Sequence, residues 1–141
     1  MALRALDVAT KALARRDFSE HGLRERLERA GIDPAETEQV LARLCAEGIL
    51  DEARFAANRA RALAERGKGD AAIRYDLEAQ ALPGDLIEEV FSQLEPELAR
   101  AERIVARRGS GPETARLLSS RGFDHDVVEA VVASSPRAAL G

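Results

Sequence analysis

The side chains in this chain best suited to chemistry are its arginines. Between residues 54 and 74 the sequence sets Arg54, Arg59, Arg61, Arg66, Lys68 and Arg74 against only Glu65 and Asp70, a local charge of +4 in a chain whose net charge is −4. Guanidinium groups are planar forks of donors that pair bidentately with carboxylates and phosphates, so such a concentration reads as a docking surface for an acidic protein or a nucleic-acid backbone. The neighbouring segments carry the opposite sign, −5 over residues 31–53 and −6 over 75–96, while 1–30 holds +2 and 97–141 holds +1. Stripes of alternating sign would orient the molecule on a charged partner, and they would serve equally as ordinary solvated helix faces. Arg16, Arg66 and Arg107, with Arg15 and Arg108 beside them, recur 50 and then 41 residues apart. They suit helix C-termini and also make a basic row that a second polymer could meet.

Other residue types offer less. Gly67-Lys68-Gly69 lacks the Gly-x-x-x-x-Gly-Lys-Ser/Thr frame and any preceding strand, so it reads as a tight interhelical turn with Lys68 at its tip, pointing the basic segment towards Arg74. His21 and His125 are solitary near helix starts and show no metal-ligand spacing. Asp33/Glu36 and Asp124/Asp126 are accounted for by capping and the helix dipole. Cys45, the one cysteine, excludes an intramolecular disulfide and a multi-cysteine zinc site, and among Leu41, Leu44 and Ile49 it is expected to be a buried packing thiol. With no Trp and 4% aromatic residues, base-stacking platforms are not expected, so any nucleic-acid contact would be electrostatic. No catalytic residue, metal or cofactor is expected.

Positioning these cations falls to helices, and the chain repeats itself three times. Leu27, Leu77 and Leu118 correspond, as do Ile32, Leu82 and Phe123, and Val40, Val90 and Val131, each set standing 50 and then 41 residues apart. Self-similarity at this period indicates stacked supersecondary units, each too small to bury its apolar face alone. In the first copy Leu3, Leu6 and Leu13 mark a helix. Ser19 then caps a second helix, bearing Leu23 and Leu27, that stops at Gly31. Asp33-Pro34-Ala35-Glu36 opens a third with Val40, Leu41, Leu44 and Ile49 as its buried stripe.

In the second copy Asp51 caps a helix to about Arg66, Asp70 caps one bearing Ile73 and Leu77, and Leu86, Ile87, Val90, Phe91 and Leu94 line the sixth. The third uses Leu98, Ala101 and Val105, then Leu118, then Val127, Val128, Val131 and Val132. At about 100° per residue, Ala56, Ala60 and Leu63 share one face of the fourth helix, Arg54 and Arg61 point nearly opposite, and Arg61 can pair with Glu65 one turn on. No stretch alternates as a strand. The expected fold is all-α: three tandem three-helix, helix-turn-helix-like repeats over residues 1–49, 50–95 and 96–134, elongated and curved, with a loose tail over 135–141.

The run Leu50-Asp51-Glu52-Ala53-Arg54-Phe55-Ala56, followed by Gly67-Lys68-Gly69 and then Ile73 and Leu77, resembles the central signature of the RecX family. Ser19, Leu23, Leu27, Gly31 and Ile32 stand where that family carries its Ser…Leu…Leu…Gly-Ile pattern. The resemblance extends from about Ala2 to Ala133 and in the third copy rests chiefly on apolar spacing. Ala81 departs from it, replacing the glycine found at Gly31 and Gly122, so the second interhelical turn is expected to differ. The resemblance implies a regulator, not an enzyme, that binds the bacterial recombinase RecA on its DNA filament and in most members limits filament extension, ATP hydrolysis and strand exchange.

Partner contacts on the filament or on DNA phosphate are expected at Arg16, Arg54, Arg61, Arg66, Lys68, Arg74, Arg107 and Arg108. Single- or double-stranded DNA would be reached through the filament, by a monomer. The competing readings are a direct DNA-binding regulator that uses one trihelical unit and a helical scaffold for an unrelated protein. No apolar run approaches the roughly 20 residues a membrane span requires, the sequence opens close to its first helix without a secretory signal, and a cytoplasmic location is expected.

Overall fold

The structure, a computed structural model, describes residues 2–133; residue 134 and the tail expected over 135–141 lie outside it. Among the described residues there are nine helices and no strand: α1 Ala2–Arg15, α2 Glu20–Arg29, α3 Pro34–Ala46, α4 Glu52–Glu65, α5 Asp70–Ala79, α6 Gly84–Gln93, α7 Glu97–Arg108, α8 Pro112–Ser120 and α9 His125–Ala133. None is long and apolar enough to cross a membrane.

The helix ends follow their local chemistry. Ser19 Oγ accepts from the Gly22 amide at 2.9 Å, Asp33 Oδ2 from the Ala35 amide at 3.1 Å and Asp51 Oδ1 from the Arg54 amide at 3.0 Å, so α2, α3 and α4 begin on their own side-chain caps. Gly31 and Gly122 close α2 and α8 at φ of +80° and +90°. In both turns the next residue, Ile32 or Phe123, donates back to Leu27 or Leu118 at 3.1 Å and buries its own side chain. The second turn differs, as its missing glycine suggested: Ala81 sits at φ +56°, the one described non-glycine residue at positive φ, and donates to the Glu78 carbonyl at 2.9 Å, but Leu82 makes no matching bond back to Leu77. The Ala81 methyl group meets the backbone crowding that glycine avoids.

Helices pack in threes, α1 to α3, α4 to α6 and α7 to α9. Each group closes on its own core, built around Leu23, Leu27, Leu41 and Leu44 in the first, Phe55, Ile73, Leu77 and Ile87 in the second, and Ala101, Leu118, Phe123 and Val131 in the third. Two expectations about burial, at Ile49 and Cys45, are corrected, and two apolar residues of the helical pattern, Leu3 and Leu98, are also exposed. Leu3 is 82% exposed because α1 turns Ala5, Ala9 and Ala12 inward, small side chains that let it lie close to its neighbours. Ile49 is 43% exposed: it stands past the end of α3, where helical periodicity no longer applies, and Leu50 takes the buried place. Leu98, in the first turn of α7, is likewise exposed, and Arg100 and Ala101 are buried instead. Cys45 is exposed, about a quarter turn from the stripe formed by Val40, Leu41 and Leu44. Partial shielding, then the carboxylates of Glu20, Glu52 and Asp51, hold its thiol above the usual range, which disfavours the nucleophilic thiolate.

Two positions are out of step with their repeats. Thr37 is fully buried and its Oγ1 has no hydrogen-bond partner, whereas Ile87 and Val128 occupy the matching positions of the other units. An unpaired buried hydroxyl costs about 1–3 kcal/mol, so the isosteric Thr37→Val is expected to raise stability by about 1 kcal/mol in chemical denaturation. Ala81→Gly relieves the left-handed alanine and is also expected to stabilise by about 1 kcal/mol, read as a higher denaturation midpoint with an unchanged slope.

Candidate binding surface

The surface that gathers cations is made where one unit meets the next. The N-cap of α5 is Gly69, which has no side chain with which to cap, and its orphan amides are taken up by the third unit. Gly69 donates to the Arg121 carbonyl at 2.8 Å and Ala71 to the Gly122 carbonyl at 3.1 Å, while Asp70 donates its amide to Glu97 Oε2. The other Glu97 oxygen accepts from the Asp124 amide at 3.1 Å. A Cβ at Gly69 would lie 2.3 Å from the Phe123 nitrogen, and one at Gly67, where φ is +85°, 2.5 Å from Arg121 Nη1. These contacts explain Gly67 and Gly69: one turns left-handed beneath a guanidinium, the other lets two backbones meet.

Arg100 of α7 closes the joint. It is 5% exposed, donates through Nη1 to the Lys68 carbonyl and through Nε to the Glu95 carbonyl at 2.9 Å each, and pairs with the Asp70 carboxylate. Asp70, expected to cap α5, is therefore the helix's first residue and the counter-ion of Arg100. The first joint uses the same device with different groups. The Glu20 amide donates to Glu52 Oε1 at 3.0 Å and the Ser19 hydroxyl to Gln80 Oε1 at 2.9 Å. Burial pushes the Glu52 carboxyl up, the Glu20 amide opposes that shift, and the Glu20 charge adds to it.

Each joint leaves a cleft. The one between the second and third units, of about 300 Å³, is lined by Arg66, Arg100, Arg103, Arg107, Arg108 and Arg121, with Glu65 as its single acid. Arg100 is consumed by the joint and Arg103 pairs with Glu95. Among the described residues Arg66, Arg107, Arg108 and Arg121 form no ion pair; Arg121 reaches only the Arg66 carbonyl, at 3.5 Å. The cleft between the first and second units, of about 210 Å³, holds Arg16, Arg26 and Arg29 with His21 and Glu25. There the Arg16 guanidinium lies 4.0 Å from the Phe18 ring centroid, and His21 and Arg29 both turn to Glu25, at 2.8 and 3.8 Å.

The structure thus brings Arg66, Arg107 and Arg108 together, places Arg16 in the other cleft, and employs several remaining candidates internally. Arg54 donates to the Gly48 and Ile49 carbonyls at 3.4 and 2.9 Å and stands 3.7 Å from Asp17, so it fastens the end of α3 to α4. Arg74 is paired with Glu88, and Arg59 is bound bidentately to Asp76 at 2.7 and 2.8 Å. Arg61 is exposed and bonds Asn58 Oδ1 at 3.1 Å, not the anticipated Glu65. Lys68 contributes its carbonyl to Arg100. Arg121, Arg103 and Arg100 were not singled out by the sequence reasoning. Arg121 had a signal, since it stands 41 residues after Gln80 in the turn the repeats share.

Comparison with known proteins agrees with this architecture. Residues 5–44 match the family description "RecX, first three-helix domain" and residues 51–90 "RecX, second three-helix domain". A regulatory protein RecX of Halorhodospira halophila is 36% identical over 139 residues, covering 92% of this chain and 86% of that protein. One of Leptothrix cholodnii is 40% identical over 133 residues, covering 88% and 84%. The crystal structure of RecX from Lactobacillus salivarius superposes with a TM-score of 0.80 over 99% of this chain and 97% of that one, at 13% identity, a likeness of fold.

The joint makes a stability prediction. Gly69→Ala places a methyl group against the Phe123 and Gly122 backbone, which cannot swing aside as a flexible side chain would, and is expected to destabilise by about 2 kcal/mol. Amide hydrogen exchange at Asp70 and Ala71 should accelerate in this variant, while amides in the first core keep their protection.

Proposed function

The chain belongs to the RecX family of regulatory proteins, and we propose that it docks on the RecA recombinase filament and inhibits its ATPase, filament extension and strand exchange. The observation that carries this reading is the cleft between the second and third units, where Arg66, Arg107, Arg108 and Arg121 face solvent without carboxylate partners among the described residues. Unpaired guanidinium groups held close together repel one another, and an external anion relieves that repulsion while gaining charge-assisted hydrogen bonds. Acidic side chains of a filament subunit, or phosphates of the DNA it carries, fit that chemistry.

The mechanism that goes with this reading is steric. A rigid protein seated across neighbouring subunits resists the relative movement that turnover and exchange require, so inhibition is a matter of occupancy and involves no bond-making. The protein acts as a monomer in the cytoplasm, with residues 1–49, 50–95 and 96–134 as its three repeats. Arg16 and the first cleft provide a second foothold, and Arg61 an exposed flank. Arg54 and Arg74 contribute indirectly, by fixing the helices that present the others.

Replacing Arg66, Arg107 and Arg108 by alanine removes three exposed cations that touch no core. Rim charges contribute roughly 0.5–1 kcal/mol each to association, so the triple variant is expected to need about tenfold or more protein to inhibit RecA ATPase on single-stranded DNA. Full inhibition by a correctly folded triple variant would overturn the proposal. Titration of labelled single- and double-stranded DNA without recombinase, across salt, separates the alternatives: tight binding that collapses steeply with salt would reassign the cleft to direct DNA binding.

A further inference from the structure

In the first two units one device closes the groove between the second and third helices. Arg24 on α2 donates to both oxygens of Glu38 on α3, at 2.7 and 3.1 Å, and Arg74 on α5 donates to both oxygens of Glu88 on α6, at 2.8 and 3.2 Å. The guanidinium of Arg74 lies 4.7 Å from the Phe91 ring centroid. These ion pairs hold Glu38 and Glu88 below the usual carboxylate range. Each is an arginine strap from the second helix to a carboxylate on the third, and in the second unit the guanidinium also covers the ring of Phe91, three residues beyond Glu88 on α6.

The third unit keeps everything except the strap. At the repeat spacing Arg24 and Arg74 correspond to Ala115, Glu38 and Glu88 to Glu129, and Leu41 and Phe91 to Val132. Glu129 is 68% exposed and, among the described residues, pairs only with His125, one turn back on its own helix at 3.2 Å. Ala115, Val128 and Val132 line an open groove beside it, with Arg116 and Ser119 on the opposite rim. Among the described residues, the carboxylate that receives an arginine in two units therefore meets none in the third, and the apolar groove beside it is open.

We propose that this groove of α8 and α9 is a docking site for an arginine side chain supplied by a partner protein. Its alkyl stem would lie on Val128 and Val132 and its guanidinium would bind Glu129 bidentately. Arginine is favoured over lysine because Arg24 sets two nitrogens, Nε and Nη2, on the two oxygens of Glu38, a planar fork that a single ammonium cannot reproduce, and because Arg74, which reaches Glu88 through Nη2 alone, also lays its guanidinium over the Phe91 ring. Arg116 on the far rim selects against a run of basic residues and favours one arginine set among apolar or acidic neighbours. The inference is independent of the recombinase reading: the groove shares no lining residue with the arginine cleft, and its test contains no recombinase.

The test is a titration of isotopically labelled protein with the peptide Ac-Ala-Leu-Arg-Leu-Ala-amide, followed by NMR. Shifts concentrated at Ala115, Glu129 and Val132, at least a fivefold weaker affinity when citrulline replaces the arginine, and loss of binding in Ala115→Arg, whose own side chain rebuilds the strap, are the expected results. Glu129→Gln, an exposed and near-isosteric change, should weaken binding to the same degree, which keeps the test decisive if Ala115→Arg folds poorly. Equal affinity for the citrulline peptide, or shifts scattered over the surface, would overturn the proposal. So would a gain of tenfold or more in Arg137→Ala, because the groove would then belong to the chain's own C-terminal segment.

Discussion

A helix cannot satisfy its own first amides, and this chain uses that deficit to join its repeats. The second helix of each of the first two units begins against the following unit, which supplies acceptors to its N-terminus: Glu52 to Glu20, and Glu97 with the Arg121 and Gly122 carbonyls to residues 69–71. Hydrogen bonds at a helix start are directional, so they set angle as well as distance between units. The clefts exist where they do because of this joint. Arg66, at the end of one unit's first helix, and Arg107, at the end of the next unit's, come to line a single cleft although they are repeat equivalents.

The arginines divide by what holds them. Arg100 sits inside the second joint, Arg59 and Arg24 tie neighbouring helices, and Arg54 satisfies carbonyls at a helix end. Such groups maintain geometry. Exposed ion pairs contribute little to stability singly, whereas the buried Arg100 matters because it spans carbonyls from the loops before α5 and α7 and the Asp70 carboxylate at once. The cations around the 300 Å³ cleft are different in kind, since the fold brings them together and leaves them uncompensated. A local excess of charge in the sequence could not separate these classes.

Three repeats of one pattern serve as internal controls on one another. Thr37 is anomalous because Ile87 and Val128 show what the site accommodates, Ala81 because Gly31 and Gly122 show the backbone it must adopt, and Ala115 because Arg24 and Arg74 show what is missing. The first two are local costs within a stable unit. The third uncovers a surface. Divergence at equivalent positions thus distinguishes tolerated strain from altered recognition in a way that one trihelical unit alone would not.

The number, order and ends of the helices were legible in the sequence, because capping, glycine stops and apolar spacing act within one or two turns and need no tertiary partner. The family resemblance rested on the same local pattern. Burial at the margins was less legible: Ile49, Leu3, Leu98 and Cys45 all lie where periodicity meets a helix end or the edge of a stripe, and their exposure depends on what another element covers. The binding surface was legible only in part. Arg66, Arg107 and Arg108 could be picked out by recurrence, but whether an arginine is free depends on carboxylates and carbonyls tens of residues away, as with Arg100 and Asp70 or Arg74 and Glu88. Sequence therefore determined the units, since their signals are short-range. Tertiary structure alone decided how the units join and which charges stay unpaired, since electrostatic pairing is set by distance in space and not along the chain.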